Sequence, residues 1–504
     1  MSYAGVDFGF TGASYVAPMG LQSVAECINF YVEAAEDPNS KMPNSLLGCP
    51  GLAAILTPAG GQVRGMYVLP GSQGALVVVG ATLYLVTVVL QATALSIPTF
   101  KAVAVGTLLT QVGPVVMRDN GVLENGLGGY CLMVDGLNCY YYYLAGATHS
   151  VSFEAATVVS SNTIAFPGDL PNGLIVSSAA TLTDASGAIP AGTKILSVDT
   201  VALVAVISPA ASIEVASDLM TLSIPAFGMV TDPGFLGANR IAFIEGFLVF
   251  NQPNTRTFYS TGPGPYSVLF PGLFFSLKDS STDNLVTVYE QNRELWLFGE
   301  RTSEVWYNSG GSNGSFPFSR IPGVGPQVGC AAPYSIARCA AVLAWLGRNE
   351  QGQNIVLCTN NYAWDRISTH AVEHAIAGYS VVTDALGFSY EEEGHLFYVL
   401  TFPTADVTWC YDFTSKLWHK RLAWDIDTGL YHRHRSNCFM DFADVRMVGD
   451  YANGNIYQMS RKFYSDNGAP LRALRRTGPI WDRQNRERLF HSQLQIEVNP
   501  GVGP

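Results

Sequence analysis

The sequence predicts an all-β chain built as a β-propeller, and three observations carry that prediction. The first is the stretch from Asp384 to Trp424, where four short apolar and aromatic runs follow one another: Leu386 to Tyr390, His395 to Phe402, Thr408 to Phe413 and Lys416 to Arg421. The breaks between them, Glu391-Glu392-Glu393-Gly394, Phe402-Pro403-Thr404-Ala405-Asp406 and Phe413-Thr414-Ser415-Lys416, hold residues that favour turns. Four antiparallel strands in about forty residues make one propeller blade, which cannot bury both faces without a neighbour on each side. The second observation is that similar strand groups recur along the chain. The third is composition: 13% charged and 48% hydrophobic residues, with 50 Gly and 24 Tyr in 504, suit many short, tightly turned strands better than a helical enzyme.

Taken in order, residues 1–62 read as an extended N-terminal arm, with strand-like Ile28-Asn29-Phe30-Tyr31-Val32 and turns at Asp37-Pro38-Asn39-Ser40 and Gly48-Cys49-Pro50-Gly51. Residues 63–150 hold the first two blades: runs in 63–88, then Val115 to Met117, Gly129 to Val134 and Leu137 to Leu144. Residues 151–224 change character, poor in aromatics and charges and rich in Ala, Ser, Thr and Val, and read as an inserted small β-sandwich. Its removal is expected to leave the ring intact. The remaining blades occupy 225–464: Asn239 to Phe250 with Arg256 to Ser260; 285–307; 339–367; the stretch described above; and 436–459. The groups number seven, within a range of six to eight. Trp306, Trp409 and Trp418 are expected as buried blade residues. Residues 465–504 form a basic docking segment with Arg472, Arg475, Arg476, Arg483, Arg486 and Arg488, ending on strand-like Leu489 to Val498. With Phe30 and Tyr31 of the arm, these arginines are the candidate partner and self-assembly residues, because a basic terminus of an acidic protein tends to dock on an acidic neighbour, such as another copy.

The net charge of -12 argues against general attraction to nucleic acid or anionic membranes. Nine cysteines, odd in number and never at CxxC spacing, favour buried thiols over a disulfide framework or zinc ribbon. The N-terminus lacks the pattern of a signal peptide, and no apolar run reaches membrane-spanning length, so the expectation is a soluble, unexported chain. His370-Ala371-Val372-Glu373-His374 matches the H-x-x-E-H pattern of zinc peptidases, but it lies between two strand groups with no third ligand in view, and reads as a short surface helix. Glu391-Glu392-Glu393 could supply a glycosidase pair, yet consecutive acids on a hairpin point in different directions. In His432-Arg433-His434-Arg435, strand alternation would place both His on one face and both Arg on the other, as in an interface edge. No Walker loop, nucleophile elbow or dinucleotide fingerprint is present. The residues supply no catalytic set, metal site or cofactor site.

Several blocks resemble the packaged-DNA stabilisation proteins of short-tailed phages, also called tail hub or nozzle proteins. They are Cys27 to Glu33, Leu46 to Leu52, Val63-Arg64-Gly65-Met66-Tyr67, Glu304-Val305-Trp306-Tyr307-Asn308, Val328 to Pro333, Gly394 to Pro403, Thr408 to Asp412 and Trp418-His419-Lys420-Arg421, in the family's order and spacing. The resemblance covers nearly the whole chain except the insert. It implies a structural virion protein without catalysis: a hexameric propeller ring below the portal and its adaptor ring, which prolongs the DNA channel and helps to retain the genome. It also implies contacts with a tail needle or plug and with tailspikes or fibres. DNA would pass without specific binding, which suits an acidic chain because Lys and Arg contacts add salt-dependent grip. The alternative is a propeller for receptor recognition that binds or cleaves host glycans.

Overall fold

The computed structural model describes residues 10–19, 23–37, 43–72, 74–90, 98–121, 129–262, 268–310 and 315–478. Strand makes up 53% of the protein and helix 2%. Among the described residues, seven sheets carry the four-strand antiparallel meander. The first uses Val63–Val68, Ala75–Val79, Thr82–Leu90 and Thr99–Thr107; the second Val116–Asp119, Tyr130–Val134, Cys139–Tyr143 and, after the insert, Phe227–Met229. The third runs Ile241–Ile244, Phe247–Asn251, Thr257–Ser260 and Phe275–Leu277, and the fourth Leu285–Gln291, Glu294–Gly299, Ser303–Asn308 and Phe318–Arg320. The fifth is built on Val328–Cys330, Val342–Asn349, Asn354–Asn360 and Ala363–Arg366, the sixth on Leu386–Glu392, His395–Phe402, Val407–Asp412 and Leu417–Lys420. The seventh combines Ser436–Phe442, Val445–Asp450 and Ile456–Ser460 with a strand from far upstream, Gly51–Leu56.

Inner strands such as Ala75–Val79, Tyr130–Val134 and Cys139–Tyr143 are buried at every position. A sheet covered on both faces has no wet side, so its strands read as continuous apolar runs instead of alternating ones. Each sheet packs on the next, and Ser436–Phe442 of the seventh lies against Val63–Val68 of the first, where Asn437 Nδ2 donates to Val63 O at 2.8 Å.

Strands of the stretch expected as an extended N-terminal arm are built into sheet edges. Gly51–Leu56 pairs antiparallel with Ile456–Ser460, and a Cβ at Gly51 would fall 2.5 Å from Phe463 O, so only glycine permits that approach. Val24–Ile28 meets the sixth sheet through the pair Ile28 and Lys420, and Leu474–Arg476 adds antiparallel to it. The single strand expected across residues 28–32 is two, Val24–Ile28 and Phe30–Ala34, because Asn29 sits at φ 57° between them.

The insert leaves the second sheet between its third and fourth strands. It is one six-stranded sheet in the order Thr181–Asp184, Val215–Ile224, His149–Thr157, Thr163–Ala165, Val204–Ser208, Lys194–Asp199, where two sheets of a sandwich were expected. Its edges meet at one bridge, Leu182 N donating to Thr193 O at 2.7 Å. Phe153, Phe166, Leu182 and Leu222 of the insert belong to one buried cluster with Tyr130, Tyr141, Ile241 and Phe250 of the second and third sheets. The insert therefore shares its core with the ring.

Candidate assembly site at the joined termini

The described candidate assembly residues, Phe30, Tyr31, Arg472, Arg475 and Arg476, lie at the sixth and seventh sheets. Asn29 organises them: its Nδ2 donates to Leu422 O and Arg472 O, each at 2.8 Å, and its Oδ1 accepts from Leu422 N at 2.9 Å. Arg475 donates from Nε to Phe10 O at 2.6 Å and from Nη1 to Ala13 O and Glu26 O at 3.0 and 3.1 Å. Arg472 lies over the Trp424 ring at 4.0 Å, and Arg476 pairs with Glu26 at 3.0 Å while staying exposed. Three arginines expected to face a partner thus fasten the C-terminal segment to residues of the same chain. Arg483, Arg486 and Arg488 lie outside the described residues. Tyr31, also expected at a contact surface, is 2% exposed, with its ring edge-on to His395 and Phe397 at 4.9 and 5.2 Å; Phe30 is half-buried.

Behind this seam lies a buried polar cluster centred on Arg421. Its guanidinium donates to Tyr390 OH at 2.9 Å and Pro50 O at 3.1 Å, and reaches His434 Nε2 at 3.4 Å and Met459 Sδ at 3.6 Å. One side chain so joins the N-terminal segment to the sixth and seventh sheets. Burial raises the Asp466 pKa to about 6 against the opposing charges of Arg421 and Arg435, and neither carboxylate oxygen has a hydrogen-bond partner among the described residues. Burial, with Arg421 and His395 nearby, lowers His419 to about 3, and burial and the charges of Arg421 and Arg435 hold His434 well below the ordinary histidine value. These imidazoles are neutral packing groups at neutral pH.

The remaining motifs are consumed by local structure. Trp306, Trp409 and Trp418 are buried, and their indole nitrogens donate to Glu304 Oε2 at 2.9 Å, Tyr379 OH at 3.0 Å and Ile367 O at 2.7 Å. His370–Ala377 is a helix capped by Thr369; Glu373, the residue that would activate water in a zinc peptidase, instead pairs with Arg366 at 2.5 Å and accepts from Ser368 Oγ at 2.6 Å. Among the described residues no three His, Cys, Asp or Glu side chains are grouped to hold a metal. Glu392 is buried against Arg446 at 3.0 Å, while Glu391 and exposed Glu393 point elsewhere, the latter to Arg461. The strand ends at Arg433, so the expected His and Arg alternation stops there: His432 bonds Asp406 at 2.7 Å, Arg433 stacks on Tyr451 at 3.7 Å, and His434 is buried on Ser436.

Two structural residues escaped sequence reasoning. Asn29 carries no signal beyond its tolerance of positive φ. Arg64 is 2% exposed, and its donors fill the loop carbonyls Gly80 O, Thr110 O, Val112 O and Gly113 O at 2.6 to 2.9 Å. A buried arginine inside an apolar strand was the available clue, since such a charge persists only when fully bonded.

Residues 129–464 match the family model Phage_stabilise, described as Bacteriophage P22 Gp10, beta-propeller. No curated protein matches the chain. Among solved structures, Sqt1 of Saccharomyces cerevisiae is 10% identical with a TM-score of 0.36, covering 82% of this chain and 99% of its own. The N-terminal domain of Nup159 is 8% identical with a TM-score of 0.35, covering 86% and 99%. The phage phi92 endosialidase is 11% identical with a TM-score of 0.27, covering 90% and 80%. Scores this low carry no argument about function.

Proposed function

Because the chain belongs to the phage-stabilisation β-propeller family, we propose that it is a structural protein of a short-tailed phage virion, acting as a tail nozzle that extends the portal and adaptor channel and helps retain packaged DNA. The observation that carries this reading is the family match across 129–464. Six copies would form the ring, assembled in the host cytoplasm, with the adaptor above and the needle or plug and the tailspikes or fibres as further partners. A net charge of -12 supports passage of DNA without specific binding, because few cations are present to release counterions from its phosphates. The reading includes no catalysis, consistent with motif residues that serve packing and intrachain bonds. No helix among the described residues is long and apolar enough to cross a membrane.

The test is genome retention in particles assembled without this protein, read as DNA protected from nuclease after packaging. Heads that fill and then leak are expected. Full, stable heads on particles that fail to attach to cells would replace this reading with receptor recognition.

A further inference from the structure

A groove of about 1020 Å³ opens between the insert and the third sheet. One wall is the insert loop through Asp199 and Val201, the other the segment from Leu269 to Phe274 that leads into the outer strand Phe275–Leu277. Among the described residues that strand has no partner on its outer side. Ser260 N donates to Phe274 O and Lys278 N to Arg256 O, both at 2.9 Å, so positions 274, 276 and 278 turn their backbone groups inward, and Phe275 and Leu277 turn theirs to the open side. On one face of the same edge, Leu273, Phe275 and Leu277 are 66%, 50% and 40% exposed. An open backbone edge beside an apolar row accepts an added strand. The groove's lining holds the exposed acids Asp169 and Asp199 and no Lys or Arg.

We infer that this groove and edge receive the C-terminal strand of a neighbouring copy, residues 489–498, with the arginines of 483–488 against the acidic wall; the inference rests on the ring-forming role proposed above. Three observations select this occupant. Leu494, Ile496 and Val498 alternate with Gln493, Gln495 and Glu497, the pattern of a strand buried on one face. Arg483, Arg486 and Arg488 precede it against one acid, Glu487, and complement the acidic groove. The chain also already covers its sixth and seventh sheet edges with terminal strands, and among the sheets whose outer strands stay open the third carries the exposed row Leu273, Phe275 and Leu277. Leu474–Arg476 sits beside the sixth sheet, three sheets around the ring from the third. Because the tail leaves from beside the sixth sheet and not the third, the receiving edge is assigned to the next copy.

The test uses the full chain with a photoreactive phenylalanine at Leu273, mixed as light and heavy isotope copies. Cross-links between position 273 of one copy and 489–498 of the other are expected. Phe275→Asp and Ile496→Asp should each weaken self-association by at least about tenfold, with Phe275→Leu close to the parent. Circular dichroism checks that each variant folds. Cross-links only within one copy or to other segments, or a chain that stays monomeric, overturn the inference. Rings that form equally well in both aspartate variants overturn the groove while leaving the tail reading intact, which genome retention tests separately.

Discussion

Asn29 has no chemistry of its own, yet three side-chain hydrogen bonds and a left-handed backbone meet on it. Alanine there would lose the bonds and strain the turn, and the buried groups of Leu422 and Arg472 would lose their partner. Asn29→Ala is expected to cost about 2 to 4 kcal/mol, measured as a shift in urea midpoint at unchanged slope; a loss below about 1 kcal/mol would show that the seam relaxes around it. His395 allows a second prediction at this scale. It is 4% exposed and bonded to Glu33 Oε2 at 2.5 Å and Asp412 Oδ2 at 2.7 Å. Burial disfavours its charged form, but the bonds to Glu33 and then Asp412, with their charges, outweigh burial and raise its pKa above 6.5. A raised histidine stabilises fully below its unfolded pKa and loses that contribution as pH rises through the folded value. The stability gap between the parent and His395→Gln should therefore be widest below the ordinary histidine pKa of about 6.5 and narrow as pH rises through the raised folded value. A constant or widening gap would place the proton elsewhere.

The strand groups were legible at the level of elements because each meander is local: its strands are a turn apart, and burial on both faces leaves continuous apolar runs such as Cys139 to Tyr143. Composition set the insert apart from the strands around it, but no local pattern shows that Phe153 and Phe166 share a cluster with Tyr130 and Phe250. That cluster argues against a dispensable module. Replacing residues 145–225 with a short Gly-Ser linker would bare Tyr130, Tyr141 and Ile241, and three large apolar side chains at about 1.5 to 3 kcal/mol each are a large part of a domain's net stability. The shortened chain is expected to bind a hydrophobic dye and to melt lower than the parent. An unchanged melting curve would restore the independent-module reading. The terminal arginines show the same limit: their charge was visible, but their destinations, Phe10, Glu26 and Trp424, lie up to hundreds of residues away.

For the whole molecule, the decisive contact is the one between chain ends, and it is invisible to any window of sequence. Gly51–Leu56 completes the seventh sheet about four hundred residues from its partner Ile456–Ser460, and Asn467 N returns to Leu52 O at 2.7 Å, so segments from the two halves of the chain clasp one edge. A ring closed this way should hold its sheets as one cooperative unit, because opening the clasp exposes the seventh sheet and then its contact with Val63–Val68 of the first. Gly51→Ala tests this with a single methyl group, which would lie 2.5 Å from Phe463 O and 2.6 Å from Ser465 O and force the strand off its partner. Hydrogen exchange in that variant is expected to speed up in the first and seventh sheets together, with unfolding midpoints moving in parallel whichever sheet is probed. Faster exchange confined to 51–56 and its partner strand would mean that the ring holds without its clasp, and that the terminal strands only cover an edge.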